Sequence, residues 1–274
     1  MYYLKDKLIL ASIPILLILS GCGGGGSSII SQEDMARIDN SNNKQIARSL
    51  STSIRVSDKI SNQISNMDFS KNSGIYNCTN GNYTVLKSTN KVTYTYSNCQ
   101  QGDSLFNGKV TKENLSNPIR ERYTAEGFKK EFNDGSKHYM YEVSDFVVTK
   151  NPSDSTPIEV NINAKAKNLV NNNSVEYKNF SWDVFKRNDG KLSLNVDGYY
   201  KTNYTNSKWV EVDQINNAIY DAGACPTEGE IKLNGNSSYL EIKVSSNTNV
   251  NIYTNGTYSY KYNDCSVPNY DILP

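Results

Sequence analysis

The sequence contains a single histidine and five cysteines, and these residues bound the chemistry that the chain can carry out. His138 would have to be the base of any Ser-His-Asp or Cys-His nucleophile system. Its neighbours, Lys137 and Tyr139, instead indicate an ordinary strand position. A histidine-rich metal site needs more than one imidazole. We therefore predict no catalytic residue, no metal site and no enzymatic activity.

Paired carboxylates are a second route to chemistry, because two of them flank the scissile bond in most glycosidases. The acidic residues on candidate strands are Glu121, Glu126, Glu142, Asp145 and Asp183. The sequence does not place any two of them at the separation of about 5 to 9.5 Å that such an enzyme needs. We expect these residues to keep the exposed face of the strands soluble.

Cys22 ends a segment that has the three parts of a secretory signal. Lys5 and Lys7 precede an apolar run from Leu8 to Leu19, which is shorter than the about 20 apolar residues that span a bilayer. The motif Leu19-Ser20-Gly21-Cys22 resembles the lipobox of bacterial lipoproteins at all four positions. This resemblance implies that residues 1–21 are removed and that diacylglycerol and an acyl chain on Cys22 anchor the protein in a membrane.

An ordinary signal peptide that happens to precede a cysteine is the alternative interpretation. Gly23, rather than aspartate, follows the cysteine, and in the lipoproteins that this motif resembles that choice favours the outer membrane. We therefore expect a bacterial envelope protein whose domain faces the periplasm or the cell surface. We expect no cofactor, and the lipid on Cys22 is the only covalently attached group that we expect.

The other four cysteines form an even set, and an oxidising envelope favours disulfides. They are Cys78, Cys99, Cys225 and Cys265. Three pairings are open, and the two local pairs are favoured because each flanks one hairpin-like stretch. A four-cysteine metal site is the rival, but its usual C-x₂₋₄-C spacing does not occur.

The net charge of +1 predicts no nucleic-acid partner. The expected partners are the membrane, through the anchor, and an envelope protein, glycan or lipid. Four aromatic residues could form a sugar- or peptide-binding platform, namely Trp182, Trp209, Tyr199 and Tyr200. Cross-strand packing is the favoured use of these side chains.

One amphipathic helix is predicted over Lys44 to Met67, within a segment 44–70, because apolar residues recur there at spacings of three and four. We expect it to lie on a sheet, although a membrane-surface or partner helix is the alternative. Residues 22–43, which begin with the Gly/Ser run, are predicted to be a flexible polar tether.

From residue 71 to residue 274 the apolar period changes to two, which predicts half-buried antiparallel strands with one wet face. Hairpin dipeptides occur at Asp134-Gly135, Asp189-Gly190, Asn234-Gly235 and Asn255-Gly256. A change of parity near Lys178-Asn179 predicts a β-bulge. The fold class is therefore mainly β: a long antiparallel meander forming a curled sheet or partial barrel, after one amphipathic helix and a cleaved signal segment.

The segment from Cys225-Pro226-Thr227-Glu228-Gly229 to Cys265 resembles the C-terminal module of uncharacterised bacterial envelope lipoproteins. That resemblance implies short strands and a closing cysteine, and it implies no activity.

The sequence thus predicts a membrane-anchored lipoprotein whose non-enzymatic β domain binds a partner or supports the envelope. A carrier of lipid or another hydrophobic ligand is the alternative, because a helix followed by a curled sheet resembles the architecture of periplasmic lipid carriers. A transmembrane barrel component is a third hypothesis, since it shares the alternation of faces, but the chain ends Asp271-Ile-Leu-Pro274 without a terminal aromatic residue.

Overall fold

The computed structural model describes residues 30–152, 158–220, 226–246, 249–262 and 273. The predicted signal segment 1–21, the predicted lipid site Cys22, and the cysteines Cys225 and Cys265 lie outside the described residues.

The helix, α1, spans Asn43–Ser65, which confirms the amphipathic helix. Its apolar stripe is buried, with Ile46, Ile60 and Ile64 each at 0% exposure. The helix ends where the Asn66 N–H bonds the carbonyl groups of Asn62 and Ile64. The following segment crosses the inner face of the sheet, by which we mean the face that packs against α1.

Fourteen antiparallel strands form one sheet in which every strand pairs with its neighbours in sequence. They are β1 (Gly74–Asn77), β2 (Asn80–Lys87), β3 (Lys91–Gln101), β4 (Ser104–Ser116), β5 (Ile119–Asn133), β6 (His138–Lys150), β7 (Glu159–Asn168), β8 (Ser174–Lys186), β9 (Leu192–Thr202), β10 (Val210–Tyr220), β11 (Pro226–Gly235), β12 (Ser238–Ser246), β13 (Asn249–Thr254) and β14 (Thr257–Tyr262). The predicted long meander, a curled sheet with one helix, is therefore confirmed, and β1 and β14 form its two edges.

Three of the four predicted hairpin dipeptides lie in turns, at 134–135, 189–190 and 255–256. The fourth is wrong by one pair of residues, because Gly235 still pairs with Ser238 and the turn is Asn236-Ser237. Gly235 is needed for another reason: a Cβ there would lie 2.0 Å from the carbonyl oxygen of Ala36. The absence of a side chain at Gly235 therefore lets the segment around Ala36 approach β11, and Gly235 does not form the turn.

A β-bulge lies at the predicted position, between Lys178 and Ser181 of β8. Opposite it on β9 is Gly198, with φ +102°, where a Cβ would lie 2.0 Å from the carbonyl oxygen of Asn179. Register shifts also occur between β3 and β4, β4 and β5, β6 and β7, and β7 and β8. Because bulges bend strands, this row of irregularities curls the sheet around α1.

The interface between α1 and the sheet is narrow because serine occupies every fourth position on the buried face of the helix. The serines are Ser49, Ser53, Ser57, Ser61 and Ser65, all at 4% exposure or less. Large side chains of the sheet reach the helix across them: Trp182 Nε1 donates to Ser57 Oγ at 2.9 Å, and Tyr177 donates to the Ser53 carbonyl at 2.6 Å. The centre of this interface is thus filled with side chains, where the carrier hypothesis required open apolar volume.

The prediction of a flexible tether is wrong for residues 30–43, the described part of that segment. Ile30 and Met35 pack with Tyr199 and Trp209 on the outer face, and Ile38 joins the main core at 1% exposure. The backbone is fixed as well, since the Ala36 N–H donates to the Trp209 carbonyl at 2.8 Å. Burial of these apolar side chains outweighs the polar composition around them.

A disulfide joins Cys78 to Cys99, with their Cα atoms 5.3 Å apart. It ties the turn before β2 to β3, in agreement with the predicted local pair. Within the described part of the chain, no helix has both the length and the apolar character needed to cross a membrane.

Candidate functional site

The sequence-predicted reactive groups lie apart from one another. His138 Nε2 is 2.9 Å from Glu131 Oε1, and both side chains are about one-third exposed. His138 lies at the first position of β6, and its chain neighbour Tyr139 is buried in the main core. The alternation of faces along a strand therefore places the histidine on the outer face, at an ordinary strand position.

The predicted aromatic platform does not exist as an exposed surface. Trp182 and Tyr200 are at 4% and 0% exposure beneath α1, where Tyr200 bonds Ser49 Oγ at 3.2 Å. Tyr199 is buried with Trp209, and Trp209 stacks under the ammonium of Lys201 at 4.5 Å. These four side chains serve packing, the use that the sequence favoured.

Four of the five strand carboxylates lie away from the inner face. Glu126 pairs with Lys109, Glu142 pairs with Lys129, and Asp183 accepts a bond from Asn195. Asp145 is exposed. Glu121 alone faces inward, toward a cleft that we identify as the candidate site.

The cleft lies at the C-terminal end of α1, where the helix no longer covers β2 to β6. It has two pockets, of about 570 and 480 Å³, on either side of the segment that follows the helix. Met67 lines both of them. We call the first the lysine pocket and the second the tyrosine pocket.

The lysine pocket is built from inward-facing residues near the ends of three paired strands. Lys112 of β4 is the cross-strand neighbour of Tyr123, and Glu121 of β5 is the neighbour of Lys150 on β6. Lys112 Nζ lies 2.5 Å from one oxygen of Glu121, and the Tyr123 hydroxyl donates to the other at 2.6 Å. Ser65, at the end of the helix, completes this wall.

Burial acts to raise the pKa of Glu121, but the hydrogen bonds from Lys112 and Tyr123 and the charges of Lys112 and Lys150 outweigh it. The net effect lowers the pKa of Glu121, so this carboxylate is ionised at neutral pH. Burial, together with the bond to Glu121, raises the pKa of Tyr123 far above its usual range. Each oxygen of Glu121 therefore already has a partner, and the group does not carry a proton that it could donate at neutral pH.

The tyrosine pocket is lined by a cluster of aromatic rings on β2 to β6. Tyr83 stacks on Tyr94 at 5.7 Å, and Tyr96 contacts Phe106 at 5.4 Å. Among the described residues, the hydroxyl groups of Tyr83, Tyr96 and Tyr141 have no hydrogen-bond partner, although all three side chains line the pocket. Burial raises the pKa of Tyr96 and of Tyr141, so these hydroxyls remain neutral donors.

Amide and charged groups surround these rings. Gln63, Asn66 and Gln101 line the tyrosine pocket, and Lys130 Nζ donates to Gln63 Oε1 at 3.1 Å. Burial lowers the pKa of Lys130. The tyrosine hydroxyls and the amides can hold a polar ligand by hydrogen bonding, and the packed rings give the pocket an apolar wall.

This cleft was not predicted from the sequence, although a signal for it was available. Lys112, Lys130 and Lys150 occupy inward-facing positions on strands whose other inward residues are mostly apolar. Among the described residues, no group of three or more His, Cys, Asp and Glu side chains could hold a metal ion. Comparison of the chain with protein-family models, with characterised proteins and with solved structures found no match.

Proposed function

We propose that this chain is a bacterial envelope lipoprotein, anchored through Cys22, whose β domain is a non-enzymatic binding module. The cleft at the end of α1 is the proposed binding site. The observation that carries the proposal is the set of unpaired tyrosine hydroxyls on an aromatic wall within an open pocket of about 480 Å³. These hydroxyls are accessible from the pocket, and a ligand bound there would supply hydrogen-bond partners for them.

An envelope glycan is the partner class that fits the tyrosine pocket best. Sugar rings have apolar faces that stack on aromatic side chains and hydroxyls that bond to amides and phenols.

The anchor is tested by acyl labelling of the full chain in a bacterial host. Cells fed an alkyne analogue of palmitate should label the wild type, and Cys22→Ala should remain unlabelled and unprocessed. Ser27→Ala is the matched control, since it lies in the same segment outside the motif, and it should be labelled normally. A wild type that takes up no label would contradict the proposed anchor.

Binding is tested by hydrogen exchange of the detergent-solubilised protein with soluble disaccharide-peptide fragments of cell wall. Exchange at residues 63–71 and 94–106 should slow. Tyr96→Phe removes one free hydroxyl and should weaken binding about two- to tenfold. Tyr258→Phe, on an exposed ring, should have no effect. If neither glycan fragments, envelope lipid nor envelope protein slows exchange in the cleft, the binding function is wrong.

A further inference from the structure

We infer that the lysine pocket binds a phosphate group of the ligand, and this inference rests on the proposed binding function. The pocket has a marked excess of positive charge. Among the described residues, four lysines line it against a single carboxylate, Glu121, although the whole chain carries a net charge of only +1. The lysines are Lys87, Lys91, Lys112 and Lys150.

The carboxylate of Glu121 already interacts with two side chains. One of its oxygens meets Lys112 and the other accepts from Tyr123. Lys150 is only 7% exposed, yet no carboxylate among the described residues lies within ion-pair distance of its ammonium group. Its ammonium lies 5.2 Å from the centroid of the Tyr123 ring. Its cross-strand neighbour Glu121 is the carboxylate whose charge it feels, and that carboxylate is shared with Lys112. A bound anion would supply a second negative charge for these two lysines.

Ser65 provides an independent observation. The serines before it on the same face each donate a hydrogen bond to a backbone carbonyl of the helix: Ser49, Ser53, Ser57 and Ser61. The hydroxyl of Ser65 makes no hydrogen bond, and among the described residues it is the one buried side-chain polar atom without a partner. Ser65 lines the lysine pocket, so an anion there would receive its hydrogen bond.

The end of α1 acts against an anion, because the helix C-terminus carries about half a negative charge. Lys112 and Lys150, set against the one charge of Glu121, leave a full positive charge in the pocket, which exceeds that effect. Phosphate suits the site better than a carboxylate, because it offers more acceptor oxygens and up to two negative charges. Phe69, Val92 and Met67 border these polar groups, so the phosphate is expected to belong to a larger molecule with an apolar part.

The test measures calorimetric binding of inorganic phosphate, glucose 6-phosphate and dihexanoyl phosphatidic acid, with hexanoate as the carboxylate probe. Phosphate-bearing probes should bind saturably to the wild type. Lys150→Met and Lys112→Met keep an unbranched side chain that is one atom shorter and remove the charge, and they should each weaken binding at least about tenfold. Lys109→Met is the matched control on the same strand, paired with Glu126 outside the pocket, and should leave the affinity unchanged.

The three phosphate probes separate the sources of the group. Tighter binding of glucose 6-phosphate than of phosphatidic acid supports a soluble or glycan-borne phosphate, and the reverse order supports a lipid headgroup. Equal affinity of wild type and both folded variants overturns the inference, as does binding of hexanoate alone. Ser65→Ala, which should fold and bind phosphate a few-fold more weakly, keeps the test decisive if a lysine variant does not fold. Failure here, with glycan fragments still protecting the tyrosine pocket, leaves the proposed function standing.

Discussion

Replacement of Ser57 with alanine should lower the free energy of unfolding by about 0.5–2.5 kcal/mol, although alanine is the better helix former. Ser57 Oγ donates to the carbonyl of Ile54 at 2.8 Å and accepts from Trp182 Nε1 at 2.9 Å. Both residues are buried, at 0% and 4% exposure. The alanine variant therefore leaves an indole N–H in the core without an acceptor.

The magnitude follows from two opposing effects. An unsatisfied buried donor costs about 1–3 kcal/mol, whereas the higher helix propensity of alanine returns about 0.5 kcal/mol. Ser61 is the matched control because it has the same burial and the same helix, but its hydroxyl bonds only the Ser57 carbonyl within that helix. Ser61→Ala leaves no buried donor without an acceptor, and it should change the stability by less than about 0.5 kcal/mol.

Urea unfolding, followed by Trp fluorescence and far-ultraviolet circular dichroism, measures both variants under the same conditions. The Ser57→Ala/Trp182→Phe double variant completes a thermodynamic cycle. The loss at Ser57 should become small when the indole is already absent, because no donor is then left unpaired. If Ser57→Ala is as stable as Ser61→Ala, or the two changes are additive, the helix does not depend on this bond and the reasoning is refuted.

Three further predictions concern the sheet and the cleft. Gly198→Ala should destabilise the fold by about 2–4 kcal/mol, because its Cβ would strike a backbone carbonyl of β8; Gly190→Ala, which has positive φ but open space, should cost less in the same thermal melts. The lowered pKa of Glu121 stabilises the fold above its ordinary value of 4.5, and this contribution is lost as the pH falls through the pKa of the folded state. Glu121→Gln should therefore show a shallower loss of stability than the wild type on acidification from neutral pH, and identical slopes would contradict the assignment. Glu142→Lys places like charges beside lysines on both neighbouring strands, and it should cost about 0.5–1 kcal/mol, an effect that added salt should reduce.

The helix and the strand pattern could be predicted because each depends on local periodicity. Ile46, Leu50 and Ile60 recur at helical spacing, and burial of that stripe fixes α1. The parity change at Lys178-Asn179 indicated a bulge because strand side chains alternate strictly between faces. Such signals require only neighbouring residues, so the helix, the strands and the bulge can be predicted without knowledge of the tertiary contacts.

The segment around Met35 and Ile38 was misassigned because its partners are remote in sequence. Its apolar residues are few and have no period, and the polar context indicated a tether. Their burial depends on Trp209 and on the missing side chain of Gly235. Neither contact can be inferred from the segment itself.

The inward-facing lysines were a signal for a polar site, but the position of the cleft could not be predicted, for a related reason. The sequence selected Trp182 and Tyr200 as a possible binding surface, since exposure cannot be determined without knowing which strands α1 covers. In the structure α1 covers those residues and leaves Tyr96 and Lys150 at its open end. The position where the helix stops on the sheet therefore decides which aromatic residues can meet a ligand.

The sequence by itself determined the elements and the local disulfide candidate at Cys78 and Cys99, because short spacing and composition carry that information. The lipid attachment at Cys22 stays a prediction. Only the tertiary structure decided that Lys112, Lys150 and Ser65 line one pocket. Their proximity depends on the register of three strands, on the bulges that set their parity, and on the end of a helix that precedes them in the chain. Backbone sterics and burial act locally and leave a pattern in the sequence, whereas the register of paired strands is fixed only when the sheet curls around its core.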